Sequence, residues 1–208
     1  RERAKLLSEG NPDPVWVSSL EKSMAEHGVA VAAARLDAIS KLSQAILESQ
    51  TAFPRAHLSL DGELEEGLLK YPAVEVEADF CQRLITMRAV DGHSGRTSIG
   101  PHKSDLRVRH VDKNMPAELC STGEQKALLI GITLASARLS ANQFGAPPLL
   151  LLDEVAAHLD GERRASLFDE LMDIGSQVWL TGTDKSLFDQ MQKRAKFFHF
   201  ESGKIQED

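Results

Sequence analysis

Cysteine is scarce in this chain: Cys81 and Cys120 are the only two in 208 residues, and they form no C-x-x-C spacing. Neither a disulfide framework nor a zinc site is suggested, and a reducing cytosol fits best. Long apolar runs are also missing. None approaches the ~18 residues that a membrane span needs, and the opening stretch RERAKLLSEG lacks the apolar core of a signal peptide. An initiator methionine is absent at Arg1, so the chain reads as a processed or excised piece of something longer. Positive charge is in short supply, and a net charge of −7 argues against a protein that coats DNA uniformly. What remains is an ordinary globular balance, 42% apolar and 26% charged, in a length that allows one large domain or two small ones.

Charge is unevenly spread. Residues 81–113 hold seven basic side chains (Arg83, Arg88, Arg96, Lys103, Arg107, Arg109, Lys113) against three acids, a local balance of +4. The segment reads either as a solvated hairpin face or as a basic patch for DNA, with Arg96, Lys103, Arg107 and Arg109 as its contacts.

Asp13-Pro14 offers an N-cap followed by proline at the first helical position. Ser18-x-x-Glu21 is a second candidate start, a capping box one turn later. Leu20, Met24, Val31, Ala38, Ile39, Leu42 and Ile46 recur at helical spacing, so one long helix is expected to about residue 51, with Gly28 as its weak point. An irregular stretch is expected from there to about residue 77, then a helix over 78–89 and a strand or hairpin around Leu106–Arg109. After residue 120 helices and strands alternate: helix 122–141, strand 148–152, helix 161–174, strand 177–181, a short helix 185–193, and a closing FFHF/KIQ hairpin. Such alternation implies an α/β fold with a mostly parallel sheet flanked by helices. The unbroken run Leu149–Leu152 suits a central strand buried on both faces.

Four short motifs fall at places where chemistry is expected. Asp153 and Glu154 follow that buried run, and in an open α/β sheet ligands sit beyond the carboxyl ends of the strands. One carboxylate there can hold Mg²⁺ while the next orients an attacking water as general base; the alternative is a simple strand terminus. Ser121-x-x-Glu124 caps the next helix, and Gly123 at its second position clears space where an anion could meet exposed N–H groups. AAHLD (156–160) links the two acids to a helix that Asp160 can cap, and WLTGTD (179–184) ends a strand in small polar residues at the same edge.

In this order, STGEQKALL, LLLLDE, AAHLD and LTGTD resemble the signature helix, Walker B strand, D-loop and switch strand of the C-terminal part of an ABC-type ATPase lobe. GPHKSDL ahead of STGEQKALLIG and PPLLLLDEVAAHLD, with MAEHGVAVAAARLDAI as an α-helical arm, is similar to the RecF family of the SMC-like branch. The resemblance implies a helical arm subdomain over 1–77 and the C-terminal part of the ATPase lobe over 78–208. It implies Asp153 for Mg²⁺, Glu154 as the catalytic acid, and Ser121, Thr122, Gly123, Glu124 and Gln125 as the signature, with Ser121 and Gly123 against the γ-phosphate of ATP held by the other protomer. His158, Leu159 and Asp160 would form the D-loop. Thr183 stands where many ABC ATPases carry a switch histidine; its hydroxyl can bond phosphate or water but carries no charge.

One part is absent from these residues. G-x-x-x-x-G-K-[ST] requires a lysine after its second glycine; Gly95–Gly100 continues Pro101-His102, and Gly62–Gly67 continues Leu68-Leu69. The resemblance implies an intact protein that binds ATP, dimerises on it, associates with DNA at single-strand gaps or junctions, and works with RecO and RecR in loading recombinase during cytoplasmic DNA repair. The alternatives are a non-catalytic DNA- or protein-interaction module and the ATPase subunit of a transporter.

Overall fold

The computed structural model describes residues 2–10, 13–201 and 203–207, with the side chains of His158, Glu201 and Glu207 outside the described set. In chain order the elements are α1 (Glu2–Ser8), α2 (Pro14–Glu48), β1 (Ala56–Asp61), α3 (Glu63–Leu68), α4 (Ala73–Thr86), α5 (Arg88–Ser94), β2 (Asp105–His110), β3 (Met115–Pro116), α6 (Thr122–Phe144), β4 (Leu150–Leu152), α7 (Gly161–Ile174), β5 (Val178–Leu180), β6 (Phe198–Glu201) and β7 (Lys204–Glu207). No helix among the described residues is long and apolar enough to cross a membrane.

Two compact units divide the chain, one of Arg1–Lys41 with Leu58–Val108, the other of Leu42–His57 with Arg109–Asp208. This differs from a split after residue 77. The reason is α4, whose Val76, Phe80 and Leu84 pack with Ala25, Val29 and Ala32 of α2 and Leu64 of α3 in one apolar core. A helix that buries its face against α2 belongs with the arm residues.

In the first unit, α2 starts as its cap signal suggests: Val15 N–H donates to Asp13 Oδ1 at 2.8 Å. Ser18 is one turn inside the helix, its hydroxyl donating back to the Pro14 carbonyl, so the second candidate start is unused. Thirty-five residues of α-helix extend roughly 52 Å. Gly28 is a contact point rather than a weak point, since a Cβ there would stand 2.8 Å from Phe80 Cε1. The span expected to be irregular up to residue 77 instead carries β1, α3 and the start of α4. Pro54 before it and Gly62 after it bound a six-residue strand whose Ala56 and Leu58 are buried, a run short enough to be hidden by its breakers.

Charge is also buried in this unit. The guanidinium of Arg3 donates to Glu21 Oε1 (2.9 Å), Asp91 Oδ2 (2.6 Å) and the Leu84 carbonyl (2.6 Å). Arg88 donates to both Glu21 oxygens, to Oε2 at 2.5 Å and to Oε1 at 3.0 Å. Burial alone would raise the Asp91 carboxyl, but hydrogen bonds from Ser98 and Arg3 outweigh it and hold the group below its ordinary value. Such a group is tolerable inside a protein only when its partners are complete.

In the second unit, Phe53, Ala127, Leu134, Leu167, Phe168 and Leu171 form the core between α6 and α7. β4 and β5 run parallel, with Leu150 opposite Val178 and Leu152 opposite Leu180. β6 and β7 form the expected closing hairpin, Phe200 opposite Ile205. Irrespective of the division into units, β1, β2 and β3 hydrogen-bond in that order as a three-stranded sheet. The Leu149–Leu152 run is buried on one face only: Leu150 is 8% exposed, but Leu149 is 55% and Leu151 71% exposed, beside Trp179 at 52%. Among the described residues β4 has β5 as its sole strand neighbour, so the outer side chains of the pair meet water.

Candidate functional site

The parallel pairing of β4 and β5 continues one residue past the strands, where the Thr181 N–H donates to the Leu152 carbonyl at 3.1 Å. Asp153 and Thr181 therefore leave the two strands side by side. The Thr181 hydroxyl donates to Asp153 Oδ1 and accepts the Glu154 N–H at 3.0 Å. Glu154 takes the left-handed conformation (φ 51°, ψ 21°) and opens the 3₁₀ turn Val155–His158. Both carboxylates are exposed, beyond the carboxyl ends of a parallel pair where ligands of such sheets are held.

The AAHLD stretch leads away from these acids. Ala156 and Leu159 are buried anchors, and Asp160 caps α7 by accepting the Arg163 N–H at 2.8 Å. The side chain of His158 lies outside the described residues. Thr183 is exposed and makes no side-chain hydrogen bond among the described residues; the hydroxyl that reaches the acids is that of Thr181. The intervening Gly182 is small for a reason of packing, because a Cβ there would lie 2.7 Å from the Phe188 ring.

A second cluster forms at the head of α6. Ser121 Oγ accepts the Glu124 N–H (3.4 Å), while Glu124 Oε2 accepts from Ser121 N–H (3.1 Å) and Oγ–H (2.9 Å), a complete capping box. Lys113 closes on the same carboxylate from the β2–β3 turn. Chiefly through that ammonium, then through Ser121, Glu124 is pulled down to about 2. Gln125 spends its amide on the Cys120 and Glu118 carbonyls, at 3.0 and 3.3 Å. Thr122 is exposed. Gly123 has open space where a Cβ would stand, so no packing among the described residues demands a glycine there. No hydrogen bond or ion pair among the described residues joins this cluster to the Asp153–Glu154–Thr181 cluster.

Of the four cations read as DNA contacts, two are committed within the chain. Arg107 donates to Asp61 Oδ2 at 3.0 and 2.7 Å, and Arg109 to the Asn114 carbonyl and Oδ1 at 2.7 and 2.8 Å. Arg96 and Lys103 are exposed, and their side chains make no such bond among the described residues.

The donor set at β4 suits a hard cation. Asp153 offers an exposed carboxylate whose Oδ2 takes no hydrogen bond among the described residues, while Oδ1 is held by Thr181. No group of three or more metal-ligating side chains exists among the described residues. Mg²⁺ is commonly bound by one or two carboxylates together with phosphates, and Asp153 offers one such carboxylate.

Two residues of this geometry escaped sequence reading. Thr181 sits in the quoted LTGTD motif, yet only strand register distinguishes it from Thr183. Lys113 carried the general signal of the basic segment but none for its contact with the α6 cap.

Compared with known proteins, the chain is 49% identical over 207 residues to the DNA replication and repair protein RecF of Mesorhizobium japonicum, covering 99% of this chain and 55% of that protein. It is equally 49% identical to the RecF of Agrobacterium fabrum, with the same coverage. Two solved structures share its fold. The recombination mediator protein RecF with ATPrS matches at a TM-score of 0.76 and 19% identity, covering 99% of this chain and 55% of that one. RecF with ATP matches at 0.77 and 18%, covering 99% and 54%; both are described as the recombination mediator of the RecFOR pathway. No family model matches the chain. It spans about half the length of the curated relatives it matches.

Proposed function

We infer, from its membership of the RecF family whose C-terminal part it matches, that this chain supplies the signature-to-switch edge of an ATP-hydrolysing site completed across a dimer. The carrying observation is the pair Asp153–Glu154, exposed at the end of a parallel strand and held from the neighbouring strand by one hydroxyl. Glu154 is the group to orient and deprotonate an attacking water. Asp153, through its unengaged oxygen, is the group to hold Mg²⁺, which when bound neutralises charge on the phosphates. Ser121 and the open backbone at Gly123 suit the γ-phosphate of a nucleotide carried by a second copy. To donate to that phosphate, Ser121 must turn its proton away from Glu124.

The phosphate cradle is not among these 208 residues, which contain no G-x-x-x-x-G-K-[ST]. We assign it to the part of a full-length RecF protein that this chain does not span. The exposed apolar face of Leu149, Leu151 and Trp179 beside the acids supports this reading, because contiguous apolar surface marks a place where further protein packs. The function extends, as a reading of the family, to ATP-dependent dimerisation, to DNA at single-strand gaps or junctions, and to work with RecO and RecR in the cytoplasm. Within this chain Arg96 and Lys103 are the DNA contacts.

The test is made in a full-length RecF protein carrying these residues. Glu154→Gln keeps shape and loses the base; it should bind ATP, accumulate as a dimer, and turn over about 10²-fold more slowly. Ser121→Arg should bind ATP but not dimerise, as seen by light scattering. Normal turnover in Glu154→Gln would refute the assignment.

A further inference from the structure

We propose that Thr181 is the positioning residue of the acid edge, its single hydroxyl setting both the carboxylate of Asp153 and the backbone of Glu154. The inference rests on the ATPase reading above and deepens it. The hydroxyl gives its proton to Asp153 Oδ1 and takes the N–H of Glu154 at 3.0 Å. One oxygen thus fixes two adjacent residues that have to act in different ways.

At Asp153, occupation of Oδ1 leaves Oδ2 as the oxygen turned over to a cation. At Glu154 the constraint is on the main chain. A φ of 51° is uncommon for a residue with a side chain and persists where surroundings over-determine it. The bond from Thr181 holds the peptide that enters this conformation, and with it the direction in which the Glu154 side chain leaves. No side chain caps the 3₁₀ turn that Glu154 opens, so the constraint comes from across the strand pair. Threonine suits the post, since its branched Cβ restricts χ1 and keeps the hydroxyl on one bearing. Its own N–H is anchored to the Leu152 carbonyl at 3.1 Å, which ties the hydroxyl to strand register. The side chain acts through Asp153 and Glu154, the two residues it bonds.

Thr181→Val keeps the shape and removes the hydroxyl, and Thr181→Ser keeps the hydroxyl. In this 208-residue chain, amide exchange at Glu154 should accelerate in Thr181→Val and stay slow in Thr181→Ser. In a full-length RecF protein carrying these residues, Thr181→Val should lower kcat about tenfold or more, the scale of a lost supporting hydrogen bond. KM for ATP should hold within about twofold, and Thr181→Ser should recover most of the rate. Thermal melting of each variant, with Thr181→Ala as a smaller alternative, separates unfolding from mispositioning. If Glu154→Gln slows turnover about 10²-fold while Thr181→Val leaves it intact, Thr181 does not position the edge. If Glu154→Gln is itself without effect, the ATPase reading fails and this role falls with it.

Discussion

Lys113, on the turn between β2 and β3, sets its ammonium against the carboxylate of Glu124 in the first turn of α6. Glu124 thereby occupies the place an outside anion would take at that helix start, with Ser121 N–H and Oγ–H also turned to it. The cap and the cation together hold the head of α6 in a self-satisfied state.

That contact makes a pH prediction. Glu124 is held at about 2, first by Lys113 and then by Ser121. Its folded value lies below its unfolded one, so its contribution to stability is present above the ordinary glutamate range and is lost as pH falls through about 2. Lys113→Met should return the Glu124 midpoint toward the ordinary range and remove most of that acid-side dependence. Carboxyl ¹³C titration reads the midpoint, and urea unfolding at acid and neutral pH reads the stability. An unmoved midpoint in Lys113→Met would mean that Ser121 alone sets it.

The buried network around Arg3 makes a prediction about stability. Arg3→Met leaves Asp91 without its cation deep in the first unit, while Glu21 keeps only Arg88. Removing one member of a buried pair costs about 3–5 kcal/mol. Lys5, whose exposed ammonium stands 3.7 Å from Glu9, is the control, and Lys5→Met should cost no more than about 0.5 kcal/mol. Urea midpoints for the two variants should separate clearly; equal midpoints would show that water enters the Arg3 site.

The sequence reading reached furthest where punctuation is local. α7 runs from Gly161 to Ile174 as read, because Asp160 caps one end and Gly175, at φ 70°, turns the chain left-handed at the other. Asp153 and Glu154 were legible for a similar reason: a leucine run ending in two acids is a local pattern. What escaped depends on partners distant in sequence. Strand register gives Thr181, not Thr183, the bond to Asp153. The burial of Leu151 depends on what lies over its face, and hydrophobicity alone cannot report that. Gly28 read as a helix defect until Phe80, 52 positions away, was seen against it. Nothing local marks Arg3, yet it is among the most buried of the described side chains.

The last prediction concerns the four cations read together as DNA contacts, which the structure divides into pairs. A cation already bonded to a neighbour gains less from a phosphate, since it must first give up that bond, whereas Arg96 and Lys103 have no such bond to surrender among the described residues. Each phosphate neutralised releases counterions and steepens the dependence of affinity on salt, by about 0.9 per contact on duplex and about 0.7 on single strands. Arg96→Ala with Lys103→Ala, in a full-length RecF protein carrying these residues, should therefore flatten the log–log salt slope by about 1.4 to 1.8. Arg107→Ala with Arg109→Ala should change that slope less and lower the melting temperature more, because they break the contacts to Asp61 and Asn114. Fluorescence anisotropy of a gapped duplex across a salt series, beside thermal melting, separates the two pairs. A slope that responds equally to both pairs would show that the internal bonds of Arg107 and Arg109 open freely when DNA binds.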